Sequence, residues 1–347
     1  MERTITHSFD TARWRLTLIT GLAALAMAST AAAQESTPSD GNLLTLQLEA
    51  KIPLGSVRGR IDHMAIDLAR RRLFVAELGN GSVGVVDLNE RKVVRRLTGF
   101  REPQGIGYVT SSDTVYIASG GDGIVSAFAG ADLTAVGRIS LGDDADNVRV
   151  DQNANRIIVG YGSGALAVLD PATRTKIAHI ALKAHPESLQ LDRPKGRIFA
   201  NVPNAHEIAV VDLAAGKQVA SWKLPSPGAN FPMAIDESAG TVIVVLRNPA
   251  RLVVLKADDG GTIAQMETCN DSDDVFVDRA RKRIYVSCGE GAVDVIATSE
   301  SKYRRIGRLQ TVSGARTSLF VPELDRLFVA ARAGAEPAAI WALRPTP

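Results

Sequence analysis

A pattern that returns about every 42 residues constrains the fold of this chain more than any other feature. In its clearest copy, from Arg60 to Leu88, apolar residues such as Met64 and Ile66 stand two apart. That spacing places side chains on one face of a β-strand. Polar and glycine-containing turns separate three such strands, and residues 93–97 supply a fourth. Four antiparallel strands at this period predict one blade of a β-propeller.

The repeat count predicts an all-β, seven-bladed β-propeller. The position of Asp67 returns at intervals of 42, 42, 41, 44, 42 and 44 residues, at Val109, Asp151, Asp192, Asp236, Asp278 and Pro322. The seventh repeat ends after three strands, whereas residues 43–54 precede the first repeat and resemble an outer strand. We therefore expect one propeller domain over residues 43–347, with its last blade closed by the N-terminal strand, which hides the open edges.

The N-terminus has the pattern of a secretory signal peptide. Arg13 and Arg15 precede an apolar run, and small residues then offer a cleavage site before Gln34. The run is too short to cross a bilayer. We expect residues 1–33 to be removed, residues 34–42 to form a flexible leader, and the mature chain to be periplasmic or secreted, without a membrane span.

Composition limits the classes of partner. Removal of three basic and two acidic residues with the signal peptide lowers the formal net charge from +2 to +1. A near-neutral chain with 5% aromatic residues has neither a clustered basic footprint nor stacking platforms, so nucleic-acid binding is disfavoured. We expect a monomer that binds a small ligand or a protein partner.

Chain direction predicts where a site would lie. The loops that precede the innermost strands, here called the leading loops, should open on the same face as the turns between the second and third strands. The leading loops differ between repeats and contain nine acidic residues, two arginines and two histidines, which predicts an electronegative channel mouth for a metal ion or a cationic group. The alternative is that their carboxylates accept hydrogen bonds from backbone amides at loop ends.

Two candidate sets follow from these loops. A divalent metal ion would suit the oxygen and imidazole donors of blades three to five, namely Asp144, Asp146, Asn147, His185 and Glu187. Ligand contacts are expected from Arg60, Asp62, His63, Glu102, Gln104, Asn230, Asp273, Asp274 and Arg316. His63 and His185 should lie across the ring from each other, so we do not expect them to share one ion. His206 should face the same side as a solvated turn residue.

The chain has two cysteines, Cys269 and Cys288, both in the sixth repeat. Export favours a disulfide between them, with two buried thiols as the alternative.

With its repeats aligned, the chain resembles the YVTN-repeat β-propellers, the YncE-like group of exported bacterial proteins. The likeness covers about residues 43–343 and depends on second strands such as LFVAELGN, VYIASGG, RIYVSCGEG and RLFVAA, and on third strands that end in VVD or VLD. The resemblance implies a propeller fold and export, and it transfers no catalytic residues.

Two functions remain open from the sequence. The first is a binding module whose acidic channel mouth captures a small ligand, a metal ion or a basic segment of a partner. The second is a metal-assisted, lactonase-like hydrolase, in which His63, His185 or Glu187 would act as general base.

Overall fold

A computed structural model describes residues 45–224, 228–299 and 302–347. The predicted signal peptide, the leader and the first two residues of the predicted closing strand lie outside these ranges. Within the described ranges, strands form seven separate antiparallel sheets of four. The predicted seven-bladed β-propeller is thereby confirmed. No helix among these residues has the length and apolar character needed to cross a membrane.

The strands of the first four blades follow one another along the chain. Blade one contains β2 (Met64–Asp67), β3 (Arg72–Glu77), β4 (Ser82–Asp87) and β5 (Lys92–Thr98). Blade two contains β6 (Pro103–Val109), β7 (Thr114–Ser119), β8 (Ile124–Ala129) and β9 (Ala135–Ser140). Blade three contains β10 (Val148–Asp151), β11 (Arg156–Tyr161), β12 (Ala165–Asp170) and β13 (Thr175–Ala181). Blade four contains β14 (Ser188–Asp192), β15 (Arg197–Val202), β16 (Glu207–Asp212) and β17 (Lys217–Lys223).

The remaining blades repeat this order. Blade five contains β18 (Asn230–Asp236), β19 (Thr241–Arg247), β20 (Ala250–Lys256) and β21 (Thr262–Glu267). Blade six contains β22 (Ser272–Asp278), β23 (Arg283–Cys288), β24 (Ala292–Ser299) and β25 (Lys302–Gln310). Blade seven contains β26 (Ser318–Val321), β27 (Arg326–Ala331), β28 (Ala339–Pro345) and β1 (Leu46–Pro53). Short 3-10 turns in the described residues are Leu78–Asn80, Arg193–Lys195, Pro203–Ala205 and Pro322–Leu324.

Blade seven is closed by the N-terminal strand, as predicted. Strand β1 pairs antiparallel with β28, with Ile52 opposite Ile340 and Lys51 opposite Trp341. Ile52 is 2% exposed and belongs to the core cluster between blades seven and one. The pairing joins the two ends of the chain and covers the edge of β28, so the ring has no open blade.

The repeat is visible in the strand register. Asp67 pairs with Arg72, Asp151 with Arg156 and Asp192 with Arg197, so each innermost strand ends at an equivalent pair. In blade seven the equivalent residue is Val321, which pairs with Arg326. The repeat position predicted at Pro322 is therefore one residue too late, because this proline begins a 3-10 turn.

Ion pairs at these strand ends connect neighbouring blades. Asp67 of blade one accepts hydrogen bonds from the backbone and guanidinium of Arg70, and Arg70 also donates to Asp113 of blade two. Blades six and seven repeat the arrangement with Asp278, Arg281 and Asp325. The carboxylates at the strand ends are therefore part of the scaffold.

Two glycines in β6 bring the innermost strands of blades two and three close together. A Cβ atom at Gly105 would lie 1.9 Å from the backbone oxygen of Asp146, and one at Gly107 would lie 2.8 Å from the side chains of Val148 and Val150. No other residue type fits these contacts without a backbone shift. This packing fixes the position of β10, which contributes to the channel described next.

Candidate functional site: the central channel

The leading loops and the turns between second and third strands meet at one mouth of the channel. The amide of Gly79 donates to the carbonyl oxygen of Arg60 at 2.9 Å, and Gly120 donates to Glu102 at 2.9 Å. Gly289 donates to Asp271 at 2.8 Å in blade six. These bonds place both kinds of loop on one face, as the chain direction predicts. We call this end the loop mouth and the opposite end the turn mouth.

A cavity of about 790 Å³ occupies the channel between the innermost strands. Its lining begins near the loop mouth at His63 and Asp274 and ends at the turn mouth at Gln152, Arg279 and Pro322. The walls between these ends are mainly apolar and include Ile66, Ile106, Val148, Val150, Ile235, Val275, Phe276, Val277, Leu319 and Phe320. Such a volume and lining are typical of small-molecule sites.

Above this cavity, the described residues of the loop mouth form a cluster of opposite charges, here called the charge cluster. Its carboxylates are the nine of the leading loops: Asp62, Glu102, Asp143, Asp144, Asp146, Glu187, Asp271, Asp273 and Asp274. Its cationic groups are Arg60, His63, His185, Arg247 and Arg316. Nine carboxylates against five cationic groups leave an acidic excess, which the ion pairs described next reduce. The electronegative mouth expected from the leading loops stays a prediction.

Arg60 and Asp62 form the centre of the charge cluster. The Nη2 atom of Arg60 lies 2.7 Å from Oδ2 of Asp62, whose side chain is 1% exposed. Burial raises the pKa of Asp62 to about 6, although His63 and Arg60 oppose that rise. Burial lowers the pKa of Arg60, but Asp62, Asp273, Asp146 and Glu187 outweigh this effect and raise it. Carboxylates of four blades therefore act on one guanidinium.

His63 lies between two carboxylates. Its Nε2 atom is 3.6 Å from Oδ1 of Asp62, and its Nδ1 atom is 3.6 Å from Oδ2 of Asp274. Burial lowers the pKa of His63, but Asp274 and Asp62 more than compensate and raise it to about 10. A raised pKa favours the protonated imidazole at neutral pH, and a general base needs the neutral form, so these two carboxylates oppose the role considered from the sequence.

Two arginines neutralise the leading loop of blade six. Arg316 Nη1 lies 2.9 Å from Oδ1 of Asp271, and Arg316 Nε lies 3.0 Å from Oδ2 of Asp273. Arg247 also pairs with Asp273, and its guanidinium carbon lies 3.5 Å from the centre of the Phe231 ring. Arg247 was missed in the sequence because it is the last residue of β19, next to the turn between the second and third strands, and does not belong to a leading loop. That turn was expected on this face, so its charge could have been included.

The predicted metal set is only partly assembled. His185 Nδ1 lies 3.5 Å from Asp144 and donates to the carbonyl of Gly162 at 2.7 Å, while His185 Nε2 lies 3.8 Å from Asp146. Burial lowers the pKa of His185, but Asp146, the Gly162 carbonyl and Asp144 outweigh it and raise the pKa to about 9. A metal ion bound at His185 would have to displace this proton, which weakens the site.

The other two members of that set have different environments. Asn147 Nδ2 donates to the backbone oxygen of Glu187 and so connects blades three and four. Burial, followed by the charge of Asp146, raises the pKa of the Glu187 carboxyl to about 7. Across residues 45–224, 228–299 and 302–347, no group of three or more His, Cys, Asp or Glu side chains is arranged to hold a metal ion.

The remaining ligand candidates divide into exposed and structural residues. Glu102 is exposed, and Gln104 packs against Gly120 beside it. Asn230 is 1% exposed, and its Nδ2 atom donates to Oδ1 of Asn201 at 3.0 Å and to the carbonyl of Glu207 at 3.1 Å. Asn230 thus holds blade five against blade four instead of facing the channel. His206 is an exposed turn residue, as expected.

The structure joins Cys269 and Cys288 in a disulfide with a Cα–Cα distance of 5.8 Å. Both residues are buried, and the bond links the leading loop of blade six to the end of β23. Cys269 precedes Asp271 and Asp273 in the same leading loop. The disulfide therefore supports the loop that supplies two carboxylates to the charge cluster.

Arg149 was also missed from the sequence, because it lies within an innermost strand. It is the second residue of β10 and lines the cavity. Its recorded hydrogen bond goes from Nη1 to the carbonyl of the preceding Val148 at 2.9 Å. Burial lowers its pKa, against the opposing charges of Asp274 and Asp146. The signal in the sequence was an arginine at a channel-lining position where the other repeats have uncharged residues.

The comparisons with known proteins support the fold. The chain is similar to a solved structure of Kuenenia stuttgartiensis hydrazine synthase, with a TM-score of 0.68 and 14% identity over 84% of this chain and 95% of that chain. At this identity the likeness shows the propeller fold alone. No family model matches, and neither does any curated protein. Membership of the YVTN-repeat group therefore stays a prediction.

Proposed function

We propose that this chain is an exported binding protein that takes a small, largely apolar ligand into the central channel of its propeller. The observation that carries the proposal is the 790 Å³ cavity, whose walls are mainly apolar side chains of the innermost strands, with polar groups such as Arg149 and Gln190 among them. Sites of this kind bury most of a small ligand. The predicted signal peptide supports export.

The charge cluster supplies a second argument. Its ion pairs connect blade three with blade four, and blade six with blades one, five and seven, around the loop mouth. Because these pairs hold one another in place, the cavity is preformed at its loop end, and a ligand would enter through the turn mouth. Preorganisation of this kind lowers the entropic cost of binding.

A fluorescence titration with a neutral naphthylamine dye tests the proposal. We expect one dye per protein and a blue-shifted emission. Ile235→Trp should weaken binding, because Ile235 lines the cavity and the larger ring would narrow it. Val94→Trp is the matched control, since Val94 is 42% exposed on the outer strand β5. If Ile235→Trp melts early, Ile66→Phe provides a smaller block. Dye binding that neither channel variant reduces would contradict the proposal.

Metal-assisted hydrolysis remains a second candidate on one observation. Oδ1 of Asp146 is buried and accepts no hydrogen bond within the described residues, and the two buried oxygens of Asp62 have ion-pair contacts with Arg60 and His63 but no aligned hydrogen bond there. Elemental analysis of protein purified from the periplasm, repeated for Asp146→Ala and His185→Ala, separates the candidates. The binding proposal expects no stoichiometric metal. A stoichiometric ion that is lost in both variants would favour the hydrolase and justify a screen of lactones and esters.

A further inference from the structure

The channel contains one cation that its surroundings do not pair. Seven residues occupy the equivalent position, two before the end of each innermost strand: Ala65, Gly107, Arg149, Gln190, Ala234, Phe276 and Leu319. All seven line the cavity. Six are uncharged, and Arg149 alone in this ring carries a charge. The fold therefore places a single guanidinium part-way along an otherwise uncharged ring.

The other charged groups of the cavity lining have ion-pair partners. His63 pairs with Asp274, and Arg279 pairs with Asp236 through Nε at 3.3 Å. Asp278 pairs with Arg281 at 3.1 Å. For Arg149, no carboxylate among the described residues lies within ion-pair distance.

Within the described part of the chain, the remaining donors of Arg149 have no protein acceptor. A guanidinium has five N–H donors, and one of those of Arg149 is used on the carbonyl of Val148. Arg149 is half-buried, and its free donors open into the cavity. A guanidinium with limited access to water gains from further hydrogen bonds and from an opposite charge. The planar fork of arginine matches a carboxylate with two parallel hydrogen bonds. An anionic guest would supply what the protein does not.

From this geometry we propose that Arg149 is the anion-binding group of the channel, and that the ligand is a monocarboxylate with an apolar body. This inference rests on the proposed function, because it names the class of ligand for the same cavity. Asp274 is already occupied by His63 and by the amide of Ser318, which donates to Oδ2 at 2.8 Å. The apolar side chains on either side of Arg149 would cover the hydrocarbon part of the ligand.

Displacement of the neutral dye tests the carboxylate specifically. The probes are octanoate, octanol and octylamine, which share a chain length and differ in the head group. We expect octanoate to displace the dye at concentrations about 10- to 100-fold lower than octanol, which is the range for a charged, bidentate pair. Octylamine should be the weakest competitor, because its ammonium would face the guanidinium.

Variants then locate the head group. Arg149→Met should remove the preference for octanoate over octanol, and Arg149→Lys should retain part of it. Arg138→Met is the matched control, because Arg138 is exposed on the outer strand β9 and its loss should change nothing. If Arg149→Met is unstable, the comparison of octanoate with octanol in the wild-type protein still tests the preference for a carboxylate. Arg149→Lys then tests whether that preference depends on Arg149.

The outcomes are distinguishable. Dye binding with equal displacement by octanoate and octanol, or a preference that survives Arg149→Met, would overturn the carboxylate proposal and leave channel binding intact. Absence of dye binding in the channel would overturn the proposed function and this inference together.

Discussion

The Nδ1 atom of His63, in blade one, lies 3.6 Å from Oδ2 of Asp274, in blade six, so a single ion pair spans the position of blade seven at the loop mouth. Asp274 also accepts the amide of Ser318 in blade seven. Three blades therefore meet at one carboxylate. The stability of the ring should depend on the charge of this histidine.

We expect the protein to lose stability at alkaline pH. The pKa of His63 is raised from 6.5 to about 10 in the folded state by Asp274, Asp62 and Asp146 against the opposing effect of burial. Its contribution is complete below pH 6.5 and is lost as the pH rises through 10. One pKa unit corresponds to about 1.4 kcal/mol, so we expect a loss of at least that size between pH 7 and 10.

Urea unfolding at several pH values measures this loss. His63→Asn should flatten the alkaline decline, whereas His206→Asn, in an exposed turn, should leave it unchanged. Equal alkaline slopes for the wild type and His63→Asn would refute the assignment.

Closure of blade seven should be sensitive to one face of β1. Ile52 is 2% exposed in the core between blades seven and one, and Leu48 is 40% exposed on the same strand. Ile52→Ala should cost about 2 to 4 kcal/mol, because it leaves a cavity, and Leu48→Ala should cost less than about 0.5 kcal/mol. Denaturant unfolding measures both. Similar midpoints for the two variants would show that β1 does not seal the ring.

Asn230 should affect stability, although the sequence suggested a role in ligand binding. Asn230→Ala removes the donors to Asn201 and Glu207 and leaves buried acceptors unpaired, so we expect a loss of about 1 to 3 kcal/mol. Asn204→Ala, in an exposed turn, is the control. The two variants should bind the dye equally well, and a selective loss of dye binding in Asn230→Ala would restore the original interpretation.

The disulfide should contribute about 3 kcal/mol, since it closes a loop between positions 19 residues apart. The double variant Cys269→Ala/Cys288→Ala should unfold at lower urea concentration than the oxidised protein. With a reductant present, the wild type should unfold at the same midpoint urea concentration as the double variant. The midpoint of the variant itself should not change. Coincident midpoints for oxidised wild type and variant would show that the bond adds nothing to stability.

Strand periodicity and repeat length were sufficient to predict the fold, because alternating apolar residues and glycine-rich turns are local features. The closing strand was predictable for a similar reason, since the seventh repeat lacked an outer strand. The end of β26 was misplaced by one residue because Val321 occupies the position where most other blades have aspartate, so the strand end carries no polar residue to mark it. The leading loops were correctly expected to share a face, but their side-chain pairing was not predictable.

The charged residues of the loop mouth show why the side-chain pairing was not predictable. Arg247 is at the end of a second strand and Arg149 is in an innermost strand, so a count restricted to the leading loops omitted both. The protonation of His63 and His185 depends on carboxylates from other parts of the chain, which only the folded ring brings close. Asn230 has the composition of a ligand-binding residue, and its burial between blades four and five is a property of the tertiary structure.

A crystal structure of the protein soaked with octanoate is the most direct test of the account. We expect continuous density inside the channel, with both carboxylate oxygens within hydrogen-bond distance of the Arg149 guanidinium and the chain directed toward the turn mouth. An empty channel at a concentration that displaces the dye, or octanoate bound only on the outer surface, would contradict it.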